Sequence, residues 1–171
     1  NISIQKCHAV TDEPPHTHEF VEMVYICDGS ATQYIGENAY EVGRGDLLFI
    51  DVGQPHAFCH IRDLSYLNIL LKPSFISEKL MDADTIFDVF TLSAFSDYEG
   101  SVESPARRVS FRGAELLEVQ ALLEQMLDEF EKKRTGYRSV LQGGLQILFA
   151  KTLRAMCREP VGGVELPFSA L

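Results

Sequence analysis

Tryptophan is absent from the sequence, and so are long apolar runs. No stretch approaches the roughly 20 residues needed to cross a bilayer. No basic-then-apolar leader opens the chain, so neither a membrane span nor an export signal is expected. Cysteine is sparse and scattered: Cys7, Cys27, Cys59 and Cys157 form no CxxC pair. That pattern excludes a paired-thiol metal motif and fits reduced thiols buried as small apolar side chains in a cytoplasm. Basic charge is also short, with 15 Lys and Arg against 25 Asp and Glu and a formal net charge of −10. Nucleic-acid affinity rests largely on cations that neutralise phosphates. The clusters Arg107-Arg108 and Lys132-Lys133-Arg134 are small and lie among acids, so this stretch of chain is expected to be a poor DNA binder.

What is present is an ordinary globular composition: 171 residues, 46% apolar and 23% charged, with 11 Phe and 6 Tyr to fill a core. The length suits one domain, or a domain with an appendage. The chain opens at Asn1 without a Met, so native sequence is expected upstream. Up to about residue 75, short apolar stretches alternate with turn signals every eight to twelve residues, the pattern of an all-β sandwich or barrel. Candidate strands are Ile2 to Ile4, Phe20 to Cys27, Ala31 to Ile35, Ala39 to Val42, Leu47 to Ile50, Ala57 to Ile61 and Tyr66 to Leu71. Asp28-Gly29-Ser30, Gly36-Glu37-Asn38, Gly43-Arg44-Gly45-Asp46 and Arg62-Asp63 read as the turns between them. Residues 76–106 are the least legible: Ile86 to Phe90 fits a short helix or a strand, and Ser93 to Pro105 a loop. Arg107 to Arg112 is expected to return as a strand.

From Ala114 the period becomes helical. Leu116, Val119, Leu123, Met126 and Phe130 recur at three and four, and Gly136 is a natural stop. A second helix runs from about Tyr137 to Cys157, with Leu141, Leu145, Leu148, Thr152 and Met156 in a stripe. The short link predicts an antiparallel hairpin. Gly143-Gly144 costs helix propensity and points to a close backbone approach. Leu117, Leu122 and Leu127 widen the first stripe. The hairpin is therefore expected to lay one side on the barrel and the other, through Leu116, Val119, Leu123, Met126 and Phe130, on a second copy in a two-fold dimer.

The chemistry-bearing residues are His16, His18, Glu22 and His56. On a single strand, positions 16, 18 and 22 would share one face. Three imidazoles and a carboxylate are suitable ligands for a divalent metal such as Zn, Ni, Mn or Fe. The spacing His16-x-His18-x3-Glu22-x6-Gly29 resembles the first cupin motif, and Gly45-x7-Gly53-x2-His56 resembles most of the second. The sequence departs from that pattern with Val10 for a leading Gly, Asp51 for a Pro and His60 for an Asn. None of these removes a ligand, so the resemblance carries a metal site onto the same four residues.

The stretches around these motifs, Tyr25 to Gly29, Gly45 to Ile50, Pro55 to Phe58 and Leu64 to Pro73, together with Glu129-Phe130 and Gly136-Tyr137, resemble the N-terminal part of AraC-type transcription regulators. That resemblance implies a cupin double-stranded β-helix (jelly-roll) barrel over 1–113, a helical hairpin for dimerisation over 114–158, and a tail over 159–171. The tail would lead to a helix-turn-helix DNA-binding domain outside this chain. It further implies that a small-molecule effector enters the barrel and changes how two DNA-binding units are spaced. Phe20, Tyr34, Phe49, Phe58 and His60 are candidate effector contacts. Because the family's arabinose sensor works without a metal, metal occupancy stays open at this level. The competing class is a metal-dependent cupin enzyme, a dioxygenase or isomerase, using the same three His and one Glu, with His60 or Glu19 recruited for proton transfer.

Overall fold

The computed structural model describes residues 2–75 and 108–156. The expectations for 76–106, for Arg107, for Cys157 and for the 159–171 tail lie outside them. The described chain is mainly antiparallel β with two helices at its C-terminal end. In order these are β1 (Ile2–Ala9), β2 (Val21–Ile35), β3 (Asn38–Gly43), β4 (Asp46–Ile50), β5 (His56–Leu71), β6 (Arg108–Ser110), α1 (Gly113–Lys132) and α2 (Tyr137–Met156). The strands form one sheet in the order β1-β5-β2-β4-β6, with β3 paired to β2.

Two expected turns are bulges instead. Asp28-Gly29-Ser30 does not end a strand, and neither does Arg62-Asp63. β2 and β5 run through these points as continuous strands of 15 and 16 residues. Their mutual register shifts between Ile26 and Thr32, which bends the pair and rolls the sheet. Gly29, at φ +78°, sits so close to β5 that a Cβ there would lie 2.2 Å from the Asp63 carbonyl oxygen. His60 and Asp63 take left-handed φ values of 53° and 49° on the facing strand. The turn signals thus mark real backbone irregularity, but hydrogen bonding to the neighbouring strand carries both chains past it.

The alternation of side chains across the sheet gives it two buried faces. Met23, Tyr25, Leu47, Phe49, Leu67 and Ile69 pack under the helices, against Val119, Leu123, Met126, Leu145, Leu148 and Phe149. The intervening positions Val24, Ile26, Leu48, Ile50 and Tyr66 turn inward with Ile35, Val42 and Phe58 to form a second cluster. Each fully buried side chain of this size contributes about 1.5–3 kcal/mol relative to exposure. Near the start of the hairpin, the buried Asp46 carboxylate ties three elements together. Its Oδ2 accepts from the Gly43 amide at 2.9 Å, and its Oδ1 accepts from Ser110 Oγ at 2.6 Å and from the Arg112 guanidinium at 2.9 Å.

The hairpin is present as expected, and α1 closes on Lys133, a left-handed cap whose amide donates to the Glu129 carbonyl at 2.9 Å. Of the two glycines, only Gly144 makes the expected close approach: a Cβ there would lie 2.6 Å from Met126 Sδ, whereas one on Gly143 would meet nothing within 4 Å. The proposed dimer stripe needs correction. Val119, Leu123 and Met126 are fully buried inside the protomer, and Leu116 and Phe130 pack against the same cluster. Val119, Leu123 and Met126 are thus used up within the protomer, while Leu116 and Phe130 stay partly exposed at the edge of that cluster. The apolar side chains left outside on the hairpin are Leu117, Val140 and Ile147. No described helix is long and apolar enough to cross a membrane.

Candidate functional site

The histidine segment is not the strand that alternation suggested. β2 begins only at Val21, and residues 16–18 precede it as irregular chain. They are held in place by backbone pairing to the start of β5: His16 and His56 exchange two amide–carbonyl hydrogen bonds, each of 3.0 Å. The Gly53 amide adds a third, to the His18 carbonyl at 2.8 Å. The two motifs, almost forty residues apart in sequence, are thereby laid side by side.

Glu22 is the centre of the result. It is 5% exposed and opens the inward-facing row of β2. Its Oε2 accepts from His18 Nε2 at 2.8 Å and lies 3.0 Å from His56 Nε2. His18, Glu22 and His56 each offer a ligand atom within 4.8 Å of the others. His16 is more exposed and stands outside that trio, with its ring 4.2 Å from the His56 ring. Burial alone would raise the Glu22 carboxyl, but the His56 and His18 imidazoles outweigh it and hold it below its ordinary value. For His56, burial pulls the other way from Glu22 and the Gln54 carbonyl, and the net effect is upward.

The rings carry the marks of a ligand set. His56 Nδ1 can only donate to the Gln54 carbonyl, at 3.0 Å, and His16 Nδ1 likewise to the Pro14 carbonyl at 3.1 Å. In the neutral rings this leaves Nε2 with its lone pair, the arrangement by which a carbonyl fixes the tautomer of a metal-binding imidazole. His56 Nε2 is buried without an aligned hydrogen bond, and His18 Nδ1 is also buried without a partner. A buried polar atom left this way costs roughly 1–3 kcal/mol. The donor set and its orphaned nitrogen therefore fit a divalent cation held by His18, Glu22 and His56, with His16 adjacent.

Beside this trio lies a small cavity with an open mouth. Its walls combine Glu13, His16, Glu22, Gln33, His56 and Asn68 with an apolar set of Val24, Ile50, Phe58 and Tyr66. Sheet register explains the grouping, since Val24 is opposite Asn68, Glu22 opposite Ile50, and Gln33 opposite Phe58. The Tyr66 hydroxyl donates to Glu13 at 3.2 Å, and burial followed by Glu13 pushes its pKa up.

Of the five expected effector contacts, Phe58 lines this cavity and the other four do not. Phe20 stacks on the His18 ring, with centroids 4.1 Å apart and planes at 9°. Phe49 occupies an outward position of β4 and is buried under the helices. Tyr34 is 39% exposed. His60 sits at the β5 bulge with Nδ1 3.2 Å from the Thr32 hydroxyl. Sequence reasoning missed Gln33, Asn68, Glu13 and Tyr66. Counting in twos from Glu22 reaches Val24, but Gln33 lies farther along β2 beyond bulges that reset its parity, Asn68 and Tyr66 lie on β5, and Glu13 precedes β2.

The family described as "AraC-like ligand binding domain" matches residues 4–149. Among curated proteins, the chain is 25% identical over 152 residues to the HTH-type transcriptional activator RhaR of Salmonella paratyphi B, covering 89% of this chain and 49% of that one. The chain thus spans about half the length of the curated relatives it matches. Among solved structures it resembles a cupin protein from Bacteroides fragilis, at 23% identity and TM-score 0.35 over 42% of this chain and 64% of that one. It also resembles a predicted oxalate decarboxylase from Thermotoga maritima, at 19% identity and TM-score 0.38 over 40% and 64%.

Proposed function

The chain belongs to the AraC-like ligand-binding domain family, and from that premise we propose that it is the effector-sensing part of a cytoplasmic transcription regulator, with DNA contact made by a domain outside this chain. One observation carries the reading. The wall of the polar cavity is also the floor of the hairpin: Glu22 and Val24 face the cavity while Met23 and Tyr25, their direct neighbours, pack under the helices. An effector that binds one arrangement of this wall better than another biases the hairpin packing, which is what coupling between two sites requires. The RhaR relatives, named as HTH-type activators, support the same class.

His18, Glu22 and His56, with His16 beside them, are the residues that would hold a divalent cation. Such an ion would supply a Lewis-acidic anchor for an effector oxygen. The protein's own contribution is to keep Nε2 of His56 and of His16 bare through the Gln54 and Pro14 carbonyls. A homodimer through the outer face of the hairpin, around Leu117, Val140 and Ile147, completes the proposal.

The test is a thermal-shift screen of metabolites, with and without divalent metals, followed by light scattering. A ligand that binds only the folded state raises its apparent stability by mass action. A metabolite or ion that raises the unfolding midpoint, and loses that effect in Glu22→Gln, supports the reading. A silent screen with both metabolites and metals refutes it. Turnover of a bound metabolite would instead favour the metal-dependent enzyme, as the same ligand set serves both.

A further inference from the structure

The cavity wall contains a feature that the metal trio does not use. Gln33 is fully buried, and its Nε2 faces the Tyr34 carbonyl at 3.5 Å. Its Oε1 is left without a partner, and Asn68 Oδ1 is in the same state. Glu13, on the same wall, adds a carboxylate whose described side-chain partner is the Tyr66 hydroxyl. Every orphaned atom of these wall residues is therefore an acceptor. Among the described residues no Lys or Arg lines the cavity, while two carboxyls do. An unpartnered buried acceptor is costly, and folding retains it only where something else meets the cost.

We propose that the part of the cavity lined by Gln33, Asn68 and Glu13 is a subsite for a small primary ammonium compound, carrying a short apolar group and no acid. An ammonium offers three donors and no acceptor, which answers two amide oxygens and a carboxylate. Its charge offsets the acidic wall, and the Phe58 and Tyr66 rings, 5.3 Å apart, give cation-friendly faces. Val24 and Ile50 take the apolar group. An anionic effector would meet only acceptors here, and a neutral alcohol would leave the charge unanswered. The proposal rests on the effector-sensing reading and names the chemistry of its ligand.

The test uses the chain in amine-free buffer with a chelator, so that no divalent ion competes. Three matched probes are compared: n-propylammonium, n-propanol and propionate. The ammonium alone should raise the unfolding midpoint, by about 3 °C at roughly tenfold excess over its Kd. Gln33→Leu removes the orphaned acceptor and should fold at least as stably, because replacing an unpaired buried polar group by an apolar one of similar shape is tolerated. It should bind the ammonium at least tenfold more weakly, by calorimetry. Should Gln33→Leu fail to fold, Glu13→Gln, at a half-buried position, should show the same weakening. Equal responses to n-propanol, a response to propionate, or undiminished ammonium binding in the variants would each overturn the proposal and leave the sensing reading standing. No response to any probe also overturns it, whereas the sensing reading falls only if the wider metabolite and metal screen is silent too.

Discussion

Two adjacent glycines in α2 should respond in opposite senses to the same added methyl group. Alanine exceeds glycine in helix propensity by about 1 kcal/mol. At Gly143 a Cβ meets nothing within 4 Å, so Gly143→Ala should realise most of that gain. At Gly144 the same atom would lie 2.6 Å from Met126 Sδ and 2.7 Å from its Cγ, and Met126 is fully buried between the helices and the sheet. The buried thioether cannot swing into solvent, so relief takes a new rotamer within the packed core or a parting of the helices. Overpacking of this kind costs about 1–3 kcal/mol. Set against the propensity gain, Gly144→Ala should lose between about 0 and 2 kcal/mol, and the two variants should differ by about 1–3 kcal/mol. For a chain of this size each kcal/mol moves the melting temperature by about 2–4 °C. Thermal and urea unfolding of both variants, with light scattering to follow association between copies, measures this directly. Met126→Ala should lessen the penalty of Gly144→Ala, because the two changes share one contact. If both glycine variants were stabilised equally, or if Met126→Ala failed to couple with Gly144→Ala, the close crossing of α1 and α2 would be refuted.

Three further outcomes are expected from the packing. Gly29→Ala should be severely destabilising by urea unfolding, since its Cβ would fall 2.2 Å from the backbone oxygen of Asp63 and φ is +78°; wild-type stability would contradict the β2–β5 approach. Asp46→Ala leaves Ser110 Oγ and the Gly43 amide without their acceptor and releases the solvent-exposed Arg112, and should cost about 1–3 kcal/mol, the range for buried polar groups left unsatisfied; a loss under about 0.5 kcal/mol would show the network to be slack. In chelator, the contribution of Glu22 is present above its ordinary value of 4.5 and is lost as pH falls through its lowered folded value. That of His56 is complete below its ordinary 6.5 and is lost as pH rises through its raised folded value, so the pair should stabilise most between those two values. Urea unfolding across pH should show the decline above 6.5 in the native chain and not in Glu22→Gln.

The architecture was legible wherever periodicity and burial agree. The seven candidate strands, the helical hairpin and the glycine at the helix crossing could all be read from Ile2 to Met156. Metal-type residues could be found too, because the spacing of His16, His18, Glu22 and His56 is unusual for a core. What could not be read was continuity and facing. Asp28-Gly29-Ser30 and Arg62-Asp63 have the composition of turns, and only pairing with the neighbouring strand turns them into bulges. The helical stripe of Leu116, Val119, Leu123, Met126 and Phe130 was visible, but a stripe does not say whether its partner is the same chain or another. Of the expected effector contacts only Phe58 lines the cavity, for the same reason: Phe49 and Phe58 look alike in sequence, and strand parity puts them on opposite sides of the wall.

That wall is a single ply. Between residue 22 on one side and residue 23 on the other there is only the thickness of one peptide backbone, and the Tyr25 hydroxyl reaches from it to the Leu116 carbonyl at 3.4 Å. Among the described residues no second sheet lies between the cavity and the helices, so a change of shape on the inner face of β2 stands one backbone away from the hairpin packing. Under the sensing proposal, a guest a little too large for its room would press through that single layer onto the helices resting on the roof.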